Sequence, residues 1–343
     1  MMNRRTNIAL AVATLLLGHA ALAVGQVRYK VYDSGVNFNP TRIGQGGMIA
    51  GQEVGSFAYD RIGGLSSIPP FSGWQIWAED VNLAGTAVGA TFLNNKIVSF
   101  IWDRSNGTQL LDDFNGKSTY AYGINDHGEI VGKFGVTIPA AYLWRPGQGW
   151  VLLPPKYGGA CGAHKINNVG EILGYTQLND TTTRVIWRPD GTIVDMGNMA
   201  PQYQNFANDL NNNGYVCGGT FGPLGNVGYI WNPNTEEYTG IFNPYSPGSY
   251  IDATGLNDAN FVSGALFIPG VGWKGYIRYP NGQITLLNSL LDSSSQEWDV
   301  REAWDINNKG QISAAAYKNG QRRGVLLQPV KDKTPISIGG VGR

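Results

Sequence analysis

Histidine and cysteine are scarce in this chain, with three His and two Cys in 343 residues. That scarcity removes most of the side chains from which zinc and nucleophilic sites are built. Charge is sparse as well: 15% of residues are Asp, Glu, Lys or Arg, and the 25 basic and 25 acidic side chains cancel. A balanced chain offers no basic face to attract nucleic acid or an anionic membrane. Beyond the N-terminus no apolar run approaches the roughly 20 residues that cross a bilayer, so no membrane span is expected. Nucleophile-elbow, zinc-protease, phosphate-binding and calcium-binding motifs are all missing. The sequence therefore predicts no cofactor and no bound metal. It also lacks any amphipathic helical stretch past the N-terminal segment.

What the chain has in abundance is glycine, 48 residues, beside a 42% hydrophobic content. That balance suits turn-rich β structure rather than disorder. A short phrase recurs seven times. Its plainest form is Ile124-Asn125-Asp126-His127-Gly128-Glu129-Ile130-Val131-Gly132. It returns from Val81 to Gly89, Ile166 to Gly174 and Leu210 to Gly218. Looser copies run from Ile43 to Gly51, Leu256 to Gly264 and Ile306 to Ala314. Asn at the first corner of a type I turn bonds back to the backbone, and Gly at the fourth takes the positive φ that other residues resist. Each phrase is thus a hairpin, with Gly128, Gly170 and Gly214 expected at positive φ.

Two more strands follow each hairpin. In the third unit Ala140 to Trp144 is strand-like, Arg145 to Gly149 turns the chain, and Trp150 to Leu153 runs back. The loops between second and third strands, such as Thr176 to Thr183 and Phe221 to Asn226, read as polar or glycine-rich. The turn positions Gly47, Gly85, Gly128, Gly170, Gly214, Asn260 and Gly310 lie 38 to 50 residues apart. Four strands at that period describe a propeller blade. Seven units predict an all-β, seven-bladed β-propeller occupying residues 24–330. The seventh unit stops at Pro329 one strand short, while Val27 to Gly35 is an orphan strand. The N-terminal strand is expected to complete the last blade, pairing an otherwise open sheet edge.

The phrase A-x-x-I-N-x-x-G-x-(I/V)-x-G, followed by Ala-Tyr-Leu-Trp and a Pro-x-Gly turn, resembles the bacterial extracellular HAF repeat family. The resemblance covers nearly all of the chain past residue 23. It implies an extracellular repeat protein and brings no established catalytic residues with it. Gly44 stands where that pattern has Asn, and Asn260 where it has the turn Gly.

Residues 1–23 read as a signal peptide: Arg4 and Arg5, then the apolar run Ile8 to Leu17, then Ala21-Leu22-Ala23. A secreted or periplasmic monomer is expected, with 331–343 as a C-terminal tail. In that oxidising setting Cys161 and Cys217 have two readings, a disulfide between neighbouring blades or two buried thiols. With no C-x-x-C spacing they do not predict a metal site.

First strands line a propeller's channel, so equivalent residues form rings. Two positions before the phrase lie Thr41, Glu79, Tyr122, His164, Asn208, Thr254 and Trp304. The next position gives Arg42, Asp80, Gly123, Lys165, Asp209, Gly255 and Asp305. The first ring varies against a repeating background, which points weakly to a site; filling between blades is the competing reading. Glu79, Tyr122, His164, Asn208 and Trp304 are the candidate ligand-binding residues. The recurring Asp80, Asp209 and Asp305 read as braces for the turns. His127 reads as a solvated turn residue, and Trp102, Trp144, Trp187 and Trp231 as packing between blades. The leading expectation is a secreted propeller that binds a glycan, another extracellular polymer or a protein partner. A uronate polysaccharide lyase is the alternative, with Tyr122 or His164 as base and acid and Lys165 or Arg42 as the cation. A purely structural surface or matrix protein is the third.

Overall fold

A computed structural model describes residues 27–331, apart from 54, 72–74, 112–113, 136, 180, 201–202 and 223–224. The expected signal peptide, and the tail past residue 331, lie outside the described residues. Seven four-stranded antiparallel sheets form a β-propeller. Blades 1 to 6 occupy residues 39–68, 76–110, 119–152, 160–195, 204–241 and 251–286, each with its strands in sequence order. Blade 7 has strands Asp299–Ile306, Ile312–Lys318 and Gln321–Val330. Its fourth strand is Arg28–Asp33, paired antiparallel to Gln321–Val330 with Val31 opposite Leu327. The chain ends are thus closed as expected.

The segments read as loops after second strands are mostly paired strand: Thr176 faces Thr183 and Phe221 faces Asn226. β-Branched Thr176, Thr181, Thr182 and Thr183 suit that pleated pairing in blade 4. Seven apolar clusters hold the propeller, several of them joining neighbouring blades. Trp102, Trp187 and Trp231 are buried in them and Trp144 packs on the edge of one, so this ladder is packing. Cys161 and Cys217 are both buried and free. The bridge that neighbouring repeats allowed is not formed. Cys161 lies in the cluster shared by blades 3 and 4, Cys217 in the one shared by blades 5 and 6.

The turn glycines Gly128, Gly170 and Gly214 have φ of 76°, 83° and 79°. Asn260, replacing the sixth, takes φ 61°, as Asn tolerates better than most residues. The last Gly of the phrase has a different cause. Blades 2 to 7 each carry a β-bulge in the first strand, between Ala121 and Gly123 in blade 3, and blade 1 has a wider irregularity from Asn39 to Arg42. A bulge bends its strand and leaves one residue unpaired. The bent strand presses its carbonyl onto the second strand, where a Cβ on Gly132 or Gly218 would collide with the carbonyl of Tyr120 or Phe206. Blade 7 has Ala314 there and carries a second bulge, between Val300 and Glu302.

Two hydrogen-bonded belts join the blades around the axis. Asn82 Nδ2 donates to the Asn125 carbonyl at 3.3 Å, Asn125 to Asn167 at 3.2 Å and Asn167 to Asn211 at 2.9 Å. Asn211 donates to Asn257 at 3.0 Å, Asn257 to Asn307 at 3.2 Å and Asn307 to Gly44 at 3.0 Å. In the second belt the backbone N–H of Leu83, Asp126, Asn168, Asn212, Asp258 and Asn308 donates to a side-chain oxygen of the next blade, at 2.7–2.9 Å. Both belts break between blades 1 and 2, where Gly44 has no side chain and Leu83 offers no acceptor. There the backbones close directly: a Cβ on Gly44 or Gly46 would collide with the carbonyl of Asn82 or Leu83.

The belt predicts that Asn167→Asp destabilises the fold by at least about 1–3 kcal/mol, since it deletes a buried donor and sets a carboxylate beside the Asn211 carbonyl and Glu171. Asn234→Asp, at an exposed turn, should stay within about 0.5 kcal/mol. Denaturant unfolding of both variants measures the difference, and equal midpoints would remove the belt's claimed role.

Candidate functional site

The bulge explains the variable ring. Where the register shifts, between Ala78 and Asp80, Ala121 and Gly123, Ala163 and Lys165, Ala207 and Asp209, Ala253 and Gly255, or Ala303 and Asp305, the unpaired residue is Glu79, Tyr122, His164, Asn208, Thr254 or Trp304. Each is released from the ladder and free to vary. Three members nevertheless tie blades together. Thr41 Oγ1 donates to the Ala78 carbonyl, Asn208 Nδ2 to that of Ala253 and Thr254 Oγ1 to that of Ala303, at 3.3, 2.8 and 2.8 Å. Among the described residues, Glu79, Tyr122, His164 and Trp304 make no such bond.

The second ring is a plug. Asp80 accepts from the N–H of its own neighbour Val81 and from Ile124 of the next blade. Asp305 does the same with Ile306 and Ile43, and Asp209 takes Leu256 N–H. The aspartates therefore brace blade to blade as well as their own strands. Lys165 Nζ crosses the channel from blade 4 to Asp80 in blade 2 at 3.0 Å, with both side chains nearly buried. Arg42 reaches from blade 1 to the Asn208 carbonyl of blade 5 at 2.9 Å and also donates to its own Thr41 carbonyl. Three carboxylates and two cations share this layer. Burial and the nearby Asp209 push the Asp305 carboxyl up to about 7. Beyond the plug, on the side of the tight turns, is a cavity of about 100 Å³ lined by the belt residues. Arg42 and Lys165, candidate catalytic cations from sequence, thus spend their donors on the frame.

The opposite mouth is open and chemically uneven. On blades 3 and 4, Tyr120 and Tyr122 stack at 5.8 Å and 3°. The His164 ring meets Tyr122 edge-on at 5.6 Å and Tyr175 at 5.4 Å. Lys133 Nζ lies 5.2 and 5.5 Å from the centres of Tyr120 and Tyr122. Arg184 lies 6.0 Å from that of Tyr175. Burial, together with Arg184, Lys133 and Arg42, depresses His164 to about 3, so its imidazole is neutral. Burial, then the charge of Glu79, raises the Tyr122 phenol. Burial also raises Glu79 itself, against the pull of Arg42.

Across the channel, Trp304 and Trp273 line a cavity of about 240 Å³ with Asp252, Thr254, Ala265, Glu302 and Ala303. Trp304 Nε1 is buried there without a hydrogen-bond partner. Burial raises the Asp252 carboxyl, which accepts from Asn226 Nδ2 at 2.8 Å. The structure thus brings Tyr122 and His164 together near Glu79, sets Trp304 on the far wall and commits Asn208 to the blade 5–6 contact. His127 is exposed on the other end of the channel. Among the described residues no cluster of three or more His, Cys, Asp or Glu is placed to hold a metal, and no helix is long and apolar enough to cross a membrane. Sequence reasoning missed Lys133, Tyr175, Arg184, Trp273, Asp252 and Glu302. Asp252 and Glu302 were findable, since they sit two residues before the ring, on the same strand face.

No family profile and no curated protein matches this chain. Solved propellers do. An oligogalacturonate lyase from Vibrio parahaemolyticus superposes with TM-score 0.57 at 11% identity, covering 88% of this chain and 97% of that one. Virginiamycin B lyase from Staphylococcus aureus matches with TM-score 0.55 at 11% identity, covering 87% and 99%. At such identity the likeness establishes the class, a β-propeller, and nothing of the chemistry.

Two measurements separate the plug from the mouth. Lys165→Met should cost about 3–5 kcal/mol by stranding the buried Asp80 carboxylate; a cost within error on chemical denaturation would release Lys165 from the frame. The His164 ring protons should show no titration between pH 5 and 8 by NMR. Because an unfolded imidazole protonates near 6.5 and the folded one near 3, its contribution to stability falls as pH drops below about 6.5. An inflection near neutrality would contradict the neutral, partly buried ring.

Proposed function

We propose that this protein binds an extracellular glycan at the open mouth of its channel. One observation carries the reading: two tryptophans, Trp273 and Trp304, wall a cavity of about 240 Å³ whose polar groups are Asp252, Thr254 and Glu302. A sugar ring has apolar faces that stack on indole and an edge of hydroxyls that bond to carboxylates. The export signal read at residues 1–23 and the resemblance to an extracellular repeat family support a polymer outside the cytoplasm.

A lyase acting on uronate polysaccharides is the second reading, favoured by the contact of neutral His164 with Tyr122. In that reaction a base removes the proton beside the carboxylate, an acid protonates the departing glycosidic oxygen, and a carbon–carbon double bond remains.

Incubation with a panel of neutral and uronate polysaccharides tests both, following retention of the protein and ultraviolet absorbance of unsaturated products. A binder retains intact polymer, and Trp304→Ala should weaken retention about 10-fold or more, as loss of a base- or sugar-stacking indole would, with thermal unfolding unchanged. Growth of ultraviolet absorbance that His164→Ala abolishes would convert the reading to a lyase. Retention of no polymer, with no unsaturated product formed, would overturn both readings.

A further inference from the structure

At one pair of positions beside the mouth four of the seven blades hold only small residues. Directly after the last residue of the phrase, blades 2, 5, 6 and 7 carry Ala90, Gly219, Ala265 and Ala315. Their third-strand partners are Ser99, Gly228, Gly275 and Gly324. The reason is packing against the next blade: a Cβ on Gly228 would lie 3.4 Å from Ala253 Cβ, and one on Gly275 3.0 Å from Val300 Cγ1. Blade 3 instead places Lys133 opposite Ala141, and blade 4 places Tyr175 opposite Arg184. Blade 1, with Gln52 opposite Ser56, is the remaining exception and brings no charge.

Both cations are partly buried. Among the described residues neither has a carboxylate within ion-pair distance. Arg184 gives Nε and one Nη2 bond to the single carbonyl of Asn205, at 3.0 and 2.7 Å, which leaves further N–H donors and the whole charge uncompensated. Lys133 lies, among the described residues, over the faces of Tyr120 and Tyr122 alone. Burying an unpaired cation is costly, and the other five blades fill these positions with small or uncharged residues, so the frame does not require it. Desolvation lowers the affinity of Lys133 and Arg184 for their protons. Between the two cations lies neutral His164, a hydrogen-bonding group without charge of its own.

We propose that the wall formed by blades 3 and 4 is a carboxylate subsite, with Lys133 and Arg184 as its cations and the Tyr122, His164 and Tyr175 rings as its floor, so that the polymer bound at the mouth is a uronate-bearing polysaccharide. The proposal rests on the glycan reading of the mouth and assigns the ligand's charge. Where the polymer alternates uronate with a neutral sugar, as hyaluronan does, the acidic Trp273–Trp304 cavity across the channel would take the neutral sugar. Arg supplies planar, two-pronged recognition of a carboxylate, and Lys on an aromatic face supplies a directed point charge.

Affinity electrophoresis with polygalacturonate, alginate and hyaluronan, each beside its carboxyl-reduced form, tests it directly. At least one acidic polymer should be retained about 10- to 100-fold more strongly than its reduced partner, the range of a charged hydrogen bond. Lys133→Met and Arg184→Gln should each abolish that preference. Lys309→Met, an exposed cation at the far end of the channel, should leave it intact. Equal retention of acidic and reduced forms, or an equal loss in Lys309→Met, overturns the subsite while leaving glycan binding standing. Retention of no polymer, acidic or neutral, fails the glycan reading and the subsite with it. If Arg184→Gln unfolds, Lys133→Met and the reduced polymers still decide.

Discussion

The asparagine amide at the first corner of each tight turn holds this ring together, because it is an acceptor and a double donor at once. Its oxygen caps its own hairpin, as Asn125 Oδ1 does for the N–H groups of His127 and Glu129. Its nitrogen reaches the carbonyl of the following blade. Aspartate would cap the turn equally well but has no proton to give the neighbour. One side chain therefore couples the local turn to the global ring, and the same choice is repeated in six of seven blades. The seam without it lies between blades 1 and 2, where glycines allow backbone contact. It does not lie at the junction of the chain ends, which Arg28–Asp33 and the Asn307 bond both cross.

With the frame secured at one end of the channel, the other end is released from structural duty. Belts and plug occupy the side of the tight turns, and their polar groups are nearly all committed to one another. The bulges then shift one residue of each first strand out of the ladder toward the opposite mouth. Asn208 and Thr254 still tie blades together, but Glu79, Tyr122, His164 and Trp304 are held by the frame without such a tie, the arrangement under which function can vary without loss of fold. The mouth accordingly mixes tryptophan and carboxylate on blades 6 and 7 with tyrosine, histidine and unpaired cations on blades 3 and 4.

Much of this was legible in the residues. Gly128, Gly170 and Gly214 announced positive φ, and their spacing announced seven blades. The missing strand after Pro329 and the orphan strand at Val27 announced the closure. The variable ring was visible too, but not how its members divide. Thr41, Asn208 and Thr254 are ties, whereas Glu79, Tyr122, His164 and Trp304 are not, and nothing in residue type separates them. Arg42 and Lys165 looked like free cations because their partners, the Asn208 carbonyl and Asp80, lie 166 and 85 residues away.

The sequence by itself determined whatever depends on neighbours a few residues apart: turn conformation, strand alternation, blade count and the asparagine at each corner. These follow from steric limits on φ and ψ and from the reach of a short side chain, which act within one hairpin. Tertiary structure alone decided which charges are paired, which cysteines are apart and which face of the channel is open. Those outcomes depend on side chains from different blades meeting around a closed ring. Two cations in neighbouring blades acquire meaning only when the ring shows that, among the described residues, no carboxylate lies within ion-pair distance of them.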